Sequence, residues 1–400
     1  MGLEIRDWGS ACDAARPPFL PSSLPPIILS SHRRPPVSTQ QLNFGIIGAG
    51  RIGQVHAESL CQRLPQANVL AIADIFGDAA RAAAERFRIP YATDNVAELL
   101  ENPAIDAIAI CSSTPTHAPL MIAAARAGKH IFCEKPIALD LAAIDSALAA
   151  VEASGVKLQI GFNRRFDSNF QRIRLGVAAG EIGVPHILRI TSRDPAPPPI
   201  EYIRASGGIF LDMTIHDFDM ARFLLADEVE EVYAQGGVMI DPAIGAAGDI
   251  DTAVISLRFR NGALGVIDNS RQAVYGYDQR VEVFGSAGAL AAQNNTPHRV
   301  TASTSGGVAQ AKPLYFFLER YMDSYVAEMR AFCDAIRNDQ PTAVSGVDGR
   351  IPVVIGLASW KSYREKRPVR LDEITVSYDS GIFVGRTVSP PYTDQTGIVA

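Results

Sequence analysis

The sequence contains no apolar run approaching the roughly 18 residues that a membrane-spanning helix needs. It has no basic stripe either. Its 43 Asp and Glu outnumber 37 Lys and Arg, for a formal charge of −6, which argues against nucleic acid as a partner. Cysteine is scarce, and Cys12, Cys61, Cys111, Cys133 and Cys333 stand singly. They have neither metal-ligand spacing nor the pattern of a disulfide framework, which fits a reducing cytoplasm. Cys111 and Cys133 close apolar runs and read as small buried residues. No internal repeat is visible. What remains is an ordinary globular balance, 47% hydrophobic and 20% charged, in a chain of 400 residues. That length exceeds a typical single core and predicts two domains.

Residues 1–42 stand apart. They are rich in Pro, Ser and Arg, with Pro17-Pro18, Pro25-Pro26 and Pro35-Pro36 pairs, and such a segment buries too little apolar surface to offset its ordering entropy. The apolar patch Leu24–Leu29 is broken by proline, unlike the core of a secretory signal. The segment reads as a disordered extension. From Asn43 short apolar runs alternate with helical patterns. Phe44–Ile47, Val69–Ala73, Asp106–Cys111, His130–Cys133 and Lys157–Gly161 read as buried strands. Ile52–Leu64, Asp78–Phe87, Thr116–Ala127 and Leu139–Ser154 read as helices. This alternation predicts an α/β fold, with a doubly wound parallel sheet over residues 43–162. Beyond it, His186–Arg193, Glu230–Gly236, Thr252–Arg260, Leu264–Arg271, Arg280–Gly285 and Ala289–Ala292 read as strands, with Asn261-Gly262 a hairpin turn. Met213–Leu225, Tyr321–Asn338 and Val347–Arg364 read as helices. Residues 163–375 are therefore expected to form an α/β domain around an open, mainly antiparallel sheet, with 376–400 a loose tail.

Gly48-Ala49-Gly50-Arg51-Ile52-Gly53 lies between a predicted strand and a predicted helix. There the glycines permit a tight turn, backbone approach to a pyrophosphate and close helix–strand packing. The N–H groups of Arg51 and Ile52 at the helix start suit the phosphates. Asp74 ends the second strand, where a carboxylate accepts bonds from ribose hydroxyls and repels a 2′-phosphate. No cation follows it, so NAD is favoured over NADP. Ser113-Thr114-Pro115-Thr116-His117 follows a third strand. Thr114 or Thr116 can cap the next helix, and the turn can equally meet the nicotinamide end.

Glu134-Lys135-Pro136 places a lysine at the carboxyl edge of the same sheet, where a neighbouring charge or partial burial would suit it to proton transfer. Asp212 and His216 are spaced i, i+4, one face of a helix. A carboxylate there would orient an imidazole and support its cationic form, although the pair is also compatible with metal ligation or a structural role. No third ligand has zinc spacing.

Taken in order, the Gly48–Gly53 motif, Glu134-Lys135-Pro136 and Asp212-x-x-x-His216 resemble the glucose–fructose oxidoreductase/inositol dehydrogenase/rhizopine catabolism (Gfo/Idh/MocA) family. Gly161-Phe162-Asn163-Arg164-Arg165-Phe166-Asp167 and Tyr275-Gly276-Tyr277-Asp278 are similar to segments of its inositol branch. The resemblance spans roughly Asn43 to Asp372. It implies a Rossmann domain, an NAD cofactor contacted by Gly48, Gly50, Arg51, Ile52, Gly53, Asp74, Ser113, Thr114, His117, Glu134 and Lys135, and a homotetramer built on the open sheet. It implies that His216 takes the proton of a substrate hydroxyl, that Lys135 bonds and relays it, and that Asp212 binds substrate and steers the pair. Arg164, Asp194 and Tyr277 match positions that face a polyol ring. The Lys–Pro peptide is often cis in the family. The implied reaction is oxidation of a cyclitol, myo-inositol first, with a related polyol, aldose or sugar acid as the alternative. A polyol presents many hydroxyls, and Arg, Asp, His, Lys and Tyr are the inventory that pairs them. A non-catalytic NAD-sensing protein on the same scaffold would not need Lys135 and His216. No metal is required, since nicotinamide takes the hydride and side chains handle the proton.

Overall fold

A computed structural model of the chain describes residues 41–376, so the expectations for 1–42 and 376–400 lie, but for their innermost residues, outside the described part. The first sheet is formed by β1 (Leu42–Ile47), β2 (Ala67–Ala73), β3 (Tyr91–Thr93), β4 (Ala107–Ile110), β5 (His130–Glu134) and β6 (Leu158–Gly161). They run parallel in the order β3-β2-β1-β4-β5-β6. Ala107–Ile110 is buried at every position, as expected of a strand covered on both faces. The helix Leu141–Ser154 shows how the crossovers are punctuated. Asp140 caps its start by accepting from the Ala143 N–H at 2.8 Å, and Gly155 ends it at φ +69°. The strand order reverses between β1 and β4, so the carboxyl ends of these strands flank the crevice in which such sheets bind ligands.

The second sheet contains β7 (Pro185–Arg193), β8 (Val229–Gly237), β9 (Thr252–Phe259), β10 (Leu264–Ser270), β11 (Asp278–Gly285) and β12 (Gly288–Ala292). A hairpin of β13 (Thr301–Thr304) and β14 (Gly307–Gln310) follows, and β15 (Val369–Arg370) completes the sheet. Its order is β12-β11-β7-β10-β9-β8-β15, with one parallel pair, β7 and β10, among antiparallel ones. In β9, Ala253, Ile255, Leu257 and Phe259 point inward while Val254, Ser256 and Arg258 point out. The inner face is covered by the helices Ile215–Leu225 and Gly346–Glu365, which leaves the outer face open. Gly262, at φ +90°, makes the hairpin turn read from Asn261-Gly262.

Two features depart from the sequence reading. The exposed β13–β14 hairpin has no apolar alternation to betray it. The helix Phe317–Arg337, placed by sequence with the second domain, lays Val326, Met329, Phe332 and Cys333 against Phe44, Ile46, Ile72 and Phe132 of the first sheet. Phe332 meets the rings of Phe44 and Phe132 at 6.2 and 6.1 Å. Each side chain of this kind contributes about 1.5–3 kcal/mol on burial, so the first sheet draws one of its faces from the far end of the chain. Among the described residues no helix is long and apolar enough to cross a membrane.

Candidate active site

The glycine turn after β1 fits a dinucleotide for three separate reasons. Gly48 sits at φ +103°, and a Cβ there would lie 2.6 Å from the Cys111 carbonyl. A Cβ on Gly53 would lie 1.9 Å from the Gly48 oxygen, so the close packing admits hydrogen alone. A Cβ on Gly50 would meet nothing within 4 Å. That open space lies at the start of the helix Arg51–Glu58, whose first N–H groups have no side-chain cap and are available to phosphate oxygens. Arg51 is exposed, its guanidinium 5.8 Å over the Phe316 ring, and Ile52 is half-buried. Asp74 follows β2 and braces the turn. Its Oδ2 accepts from the Ala49 N–H at 2.7 Å and its Oδ1 from the Phe76 N–H at 2.9 Å.

The turn after β4 is built differently from the capping pattern expected. Ser113, not Thr114 or Thr116, is the N-cap residue of the helix Thr114–Arg126, and its side chain makes no capping bond. Thr116 shares a hydrogen bond with Ser112 and donates to the Ser113 carbonyl. His117 and Glu134, both expected beside the cofactor, are turned into the protein. The His117 ring is buried between the Pro136 and Ser112 carbonyls, at 2.7 and 3.0 Å, and burial lowers its pKa. The Glu134 carboxylate is buried against His56 Nε2 at 2.6 Å. Sequence gave no sign of that partner.

Lys135 emerges at the carboxyl end of β5, and its peptide bond to Pro136 is cis. Its Nζ donates to the Asp212 carbonyl at 2.9 Å and lies 3.7 Å from Asp212 Oδ1. Asp212 and His216 do not share one helix. Asp212 closes the short helix Gly208–Asp212, the chain is interrupted at Met213 and Thr214, and His216 lies in the first turn of Ile215–Leu225. The Thr214 hydroxyl donates to the Ile209 carbonyl and contacts Asn269, side-chain bonding that competes with a continuous helix. The Asp212 carboxylate consequently faces Tyr202, whose hydroxyl donates to Oδ1 at 2.8 Å, and Arg271, whose Nη1 donates to Oδ2 at 3.3 Å. It makes no hydrogen bond to His216. The expectation of a supported imidazolium is corrected accordingly. Burial, with the Lys135 and Arg164 charges adding to it, holds His216 well below its ordinary pKa. The ring is therefore neutral near pH 7 and able to accept a proton. It stands edge-on to Phe162 at 6.0 Å, with Nδ1 buried and unpartnered.

The remaining wall comes from Arg164, Asp194 and Tyr277. Arg164 is buried, and its Nη1 donates to Asp217 Oδ1 at 2.6 Å and its Nη2 to the Tyr277 hydroxyl at 3.3 Å. Asp194, just past β7, is acted on by burial and by the charges of Asp212, Arg271, Arg164 and Asp217. Desolvation and then Asp212 raise its pKa to about 6, against the pull of Arg271 and Arg164. Sequence reading missed Arg271, which is 1% exposed and bridges Asp212 to Asp249 at 3.1 Å. An arginine ending a strand of apolar alternation was the available signal. Among the described residues no three His, Cys, Asp or Glu side chains are grouped as metal ligands.

Comparison with known proteins fits this geometry. The sequence model for the oxidoreductase family with an NAD-binding Rossmann fold matches residues 42–162, and the GFO/IDH/MocA C-terminal domain matches residues 170–291. The chain belongs to the GFO/IDH/MocA oxidoreductase family. Within this family it is 53% identical to a myo-inositol 2-dehydrogenase of Thermotoga maritima, over 83% of this chain and 99% of that one. It is 45% identical to an inositol 2-dehydrogenase of Rhizobium meliloti, over 82% and 99%. Among solved structures, a myo-inositol dehydrogenase from Corynebacterium glutamicum superposes with a TM-score of 0.79 at 40% identity, covering 83% of this chain and 99% of that one. A scyllo-inositol dehydrogenase from Lactobacillus casei, solved with NAD(H) and scyllo-inositol bound, superposes at 0.78 with 28% identity, over 83% and 100%. Family membership thus assigns the first domain to NAD, and the open approach at Gly50 with the uncapped helix behind it is what this chain offers to the cofactor.

Proposed function

We propose that this protein oxidises a ring hydroxyl of myo-inositol to give 2-keto-myo-inositol, with NAD as acceptor. The observation that carries the reading is the Lys135 ammonium, set against Asp212 and close enough to His216 for its charge to act on that ring, at the carboxyl end of the sheet that also carries the glycine turn. His216 accepts the hydroxyl proton as the C–H bond breaks, since burial and the Lys135 and Arg164 charges keep its ring unprotonated at neutral pH. Bound nicotinamide supplies the hydride acceptor. Lys135 hydrogen-bonds the reacting hydroxyl and helps relay that same proton to His216. Asp212, fixed by Tyr202 and Arg271, holds Lys135 and binds a neighbouring hydroxyl. Asp194, drawn by the Arg271 and Arg164 charges, offers an acceptor that suits a polyol hydroxyl. Arg164, in the same wall, holds Tyr277 and Asp217 in place. The open face of the second sheet suits assembly into a homotetramer, and the isolated cysteines suit the cytoplasm.

The test is NADH formation across a panel of cyclitols, aldoses and sugar acids, with NADP in parallel. Activity highest with myo-inositol and NAD supports the reading, and preference for scyllo-inositol or a sugar moves the substrate within the family. Lys135→Ala and His216→Ala are expected to abolish turnover while NAD affinity stays near wild type. Near-normal turnover in either variant would refute the assigned roles, and NAD binding without turnover on any substrate would favour a sensing protein.

A further inference from the structure

One buried contact links the helix that follows the glycine turn to the peptide that carries Lys135. His56 belongs to the helix Arg51–Glu58 and is wholly buried. Its Nε2 lies 2.6 Å from Glu134 Oε1. Its Nδ1 is buried with no acceptor, so the ring proton belongs on Nε2, where it points at the carboxylate. The rings of Phe132 and Tyr325, edge-on at 4.8 and 5.6 Å, leave the imidazole one orientation. The other Glu134 oxygen, Oε2, accepts from the Lys135 N–H at 3.3 Å. Gly161, opposite Glu134 in the neighbouring strand, closes the third side, since a Cβ there would stand 3.0 Å from the carboxyl group. A buried carboxylate held by two hydrogen bonds has little freedom, and a short bond to it is among the stronger ones a protein makes.

We propose that His56 is a positioning residue for the reaction: through Glu134 it fixes the peptide that presents Lys135 to the substrate, from the side of the cofactor helix. The inference rests on the role given to Lys135 above. It requires that losing the Nε2–H donor lower the chemical rate while leaving both binding steps nearly intact, because misplacing a catalytic group by about 1 Å costs up to about a hundredfold.

Three variants of the full chain test it, each assayed for kcat and KM with myo-inositol, for NAD affinity without polyol, and for thermal midpoint. His56→Phe keeps a ring of similar size and removes the donor. Its kcat is expected to fall about tenfold to a hundredfold, with KM and NAD affinity little changed. His56→Gln returns an N–H within reach of Glu134 and is expected to recover most of the loss. A packing role predicts the reverse order, Phe at least as good as Gln, and that result would overturn the proposal. Should His56→Phe fail to fold, Glu134→Asp carries the test. It retains the charge and withdraws the carboxylate from His56 by one methylene, and wild-type kcat there would overturn the proposal equally. Inactive Lys135→Ala beside fully active His56→Phe removes this inference alone, whereas active Lys135→Ala removes the reading beneath it.

Discussion

Replacing Gly50 with alanine should separate folding from cofactor binding. Gly50 has φ −67° and ψ −170°, a backbone that alanine adopts freely, and its added methyl would meet no atom within 4 Å. Substitution at such a site removes conformational entropy from the unfolded chain and is worth about 0.4–1 kcal/mol of stability. The same methyl occupies the space through which a pyrophosphate approaches the N–H groups of the helix. Loss of one hydrogen bond to a charged group is worth about 1.5–3 kcal/mol, or roughly tenfold to a hundredfold in Kd. Urea unfolding reads the first quantity and NADH fluorescence titration the second. The control is Gly53→Ala, whose methyl would lie 1.9 Å from the Gly48 oxygen and which should lose about 1–3 kcal/mol or more of stability. A Gly50→Ala protein that binds NADH as tightly as wild type would refute the placement of the diphosphate.

Two other perturbations reach the remaining walls of the cleft. Asp74→Ser removes the charge that would repel a 2′-phosphate and should raise the NADP-to-NAD ratio of kcat/KM by at least about tenfold, an unchanged ratio showing that selectivity lies elsewhere. Asp194 has a folded pKa of about 6, raised from its ordinary value of 3.8. The stability linked to its protonated form is complete below about pH 4 and is lost as pH rises through 6. Asp194→Asn should therefore gain stability relative to wild type between pH 5 and 7.5, by up to about 3 kcal/mol, and parallel urea curves at the two pH values would contradict the desolvation that raises the pKa.

The parts of this molecule that could be read from its sequence are those in which one local pattern decides one local outcome. Phe44–Ile47 followed by Gly48-Ala49-Gly50-Arg51-Ile52-Gly53 is legible because a strand buried on both faces is continuously apolar and because Gly48 and Gly53 leave no room for a Cβ. Asn261-Gly262 is legible because the turn needs a positive φ. Asp212 and His216 were found for their chemistry but misjudged in geometry, since the interruption at Met213 and Thr214 is stabilised by Asn269, more than fifty residues away. Arg271 and His56 escaped for the same reason. An arginine ending an apolar strand marks Arg271 as unusual, but neither it nor a histidine on a helix names the distant carboxylates, Asp212, Asp249 and Glu134, that give them meaning. The apolar stripe of the helix Phe317–Arg337 is legible, but a stripe of apolar residues does not say which sheet will receive it.

That helix has a consequence for the order in which the chain is made. The strands of the first sheet are complete once Gly161 has left the ribosome, yet the side chains of Phe44, Ile46 and Phe132 wait for Met329 and Phe332. At about 5–20 residues per second, the nascent protein carries an uncovered apolar face for many seconds while its second lobe is still being synthesised.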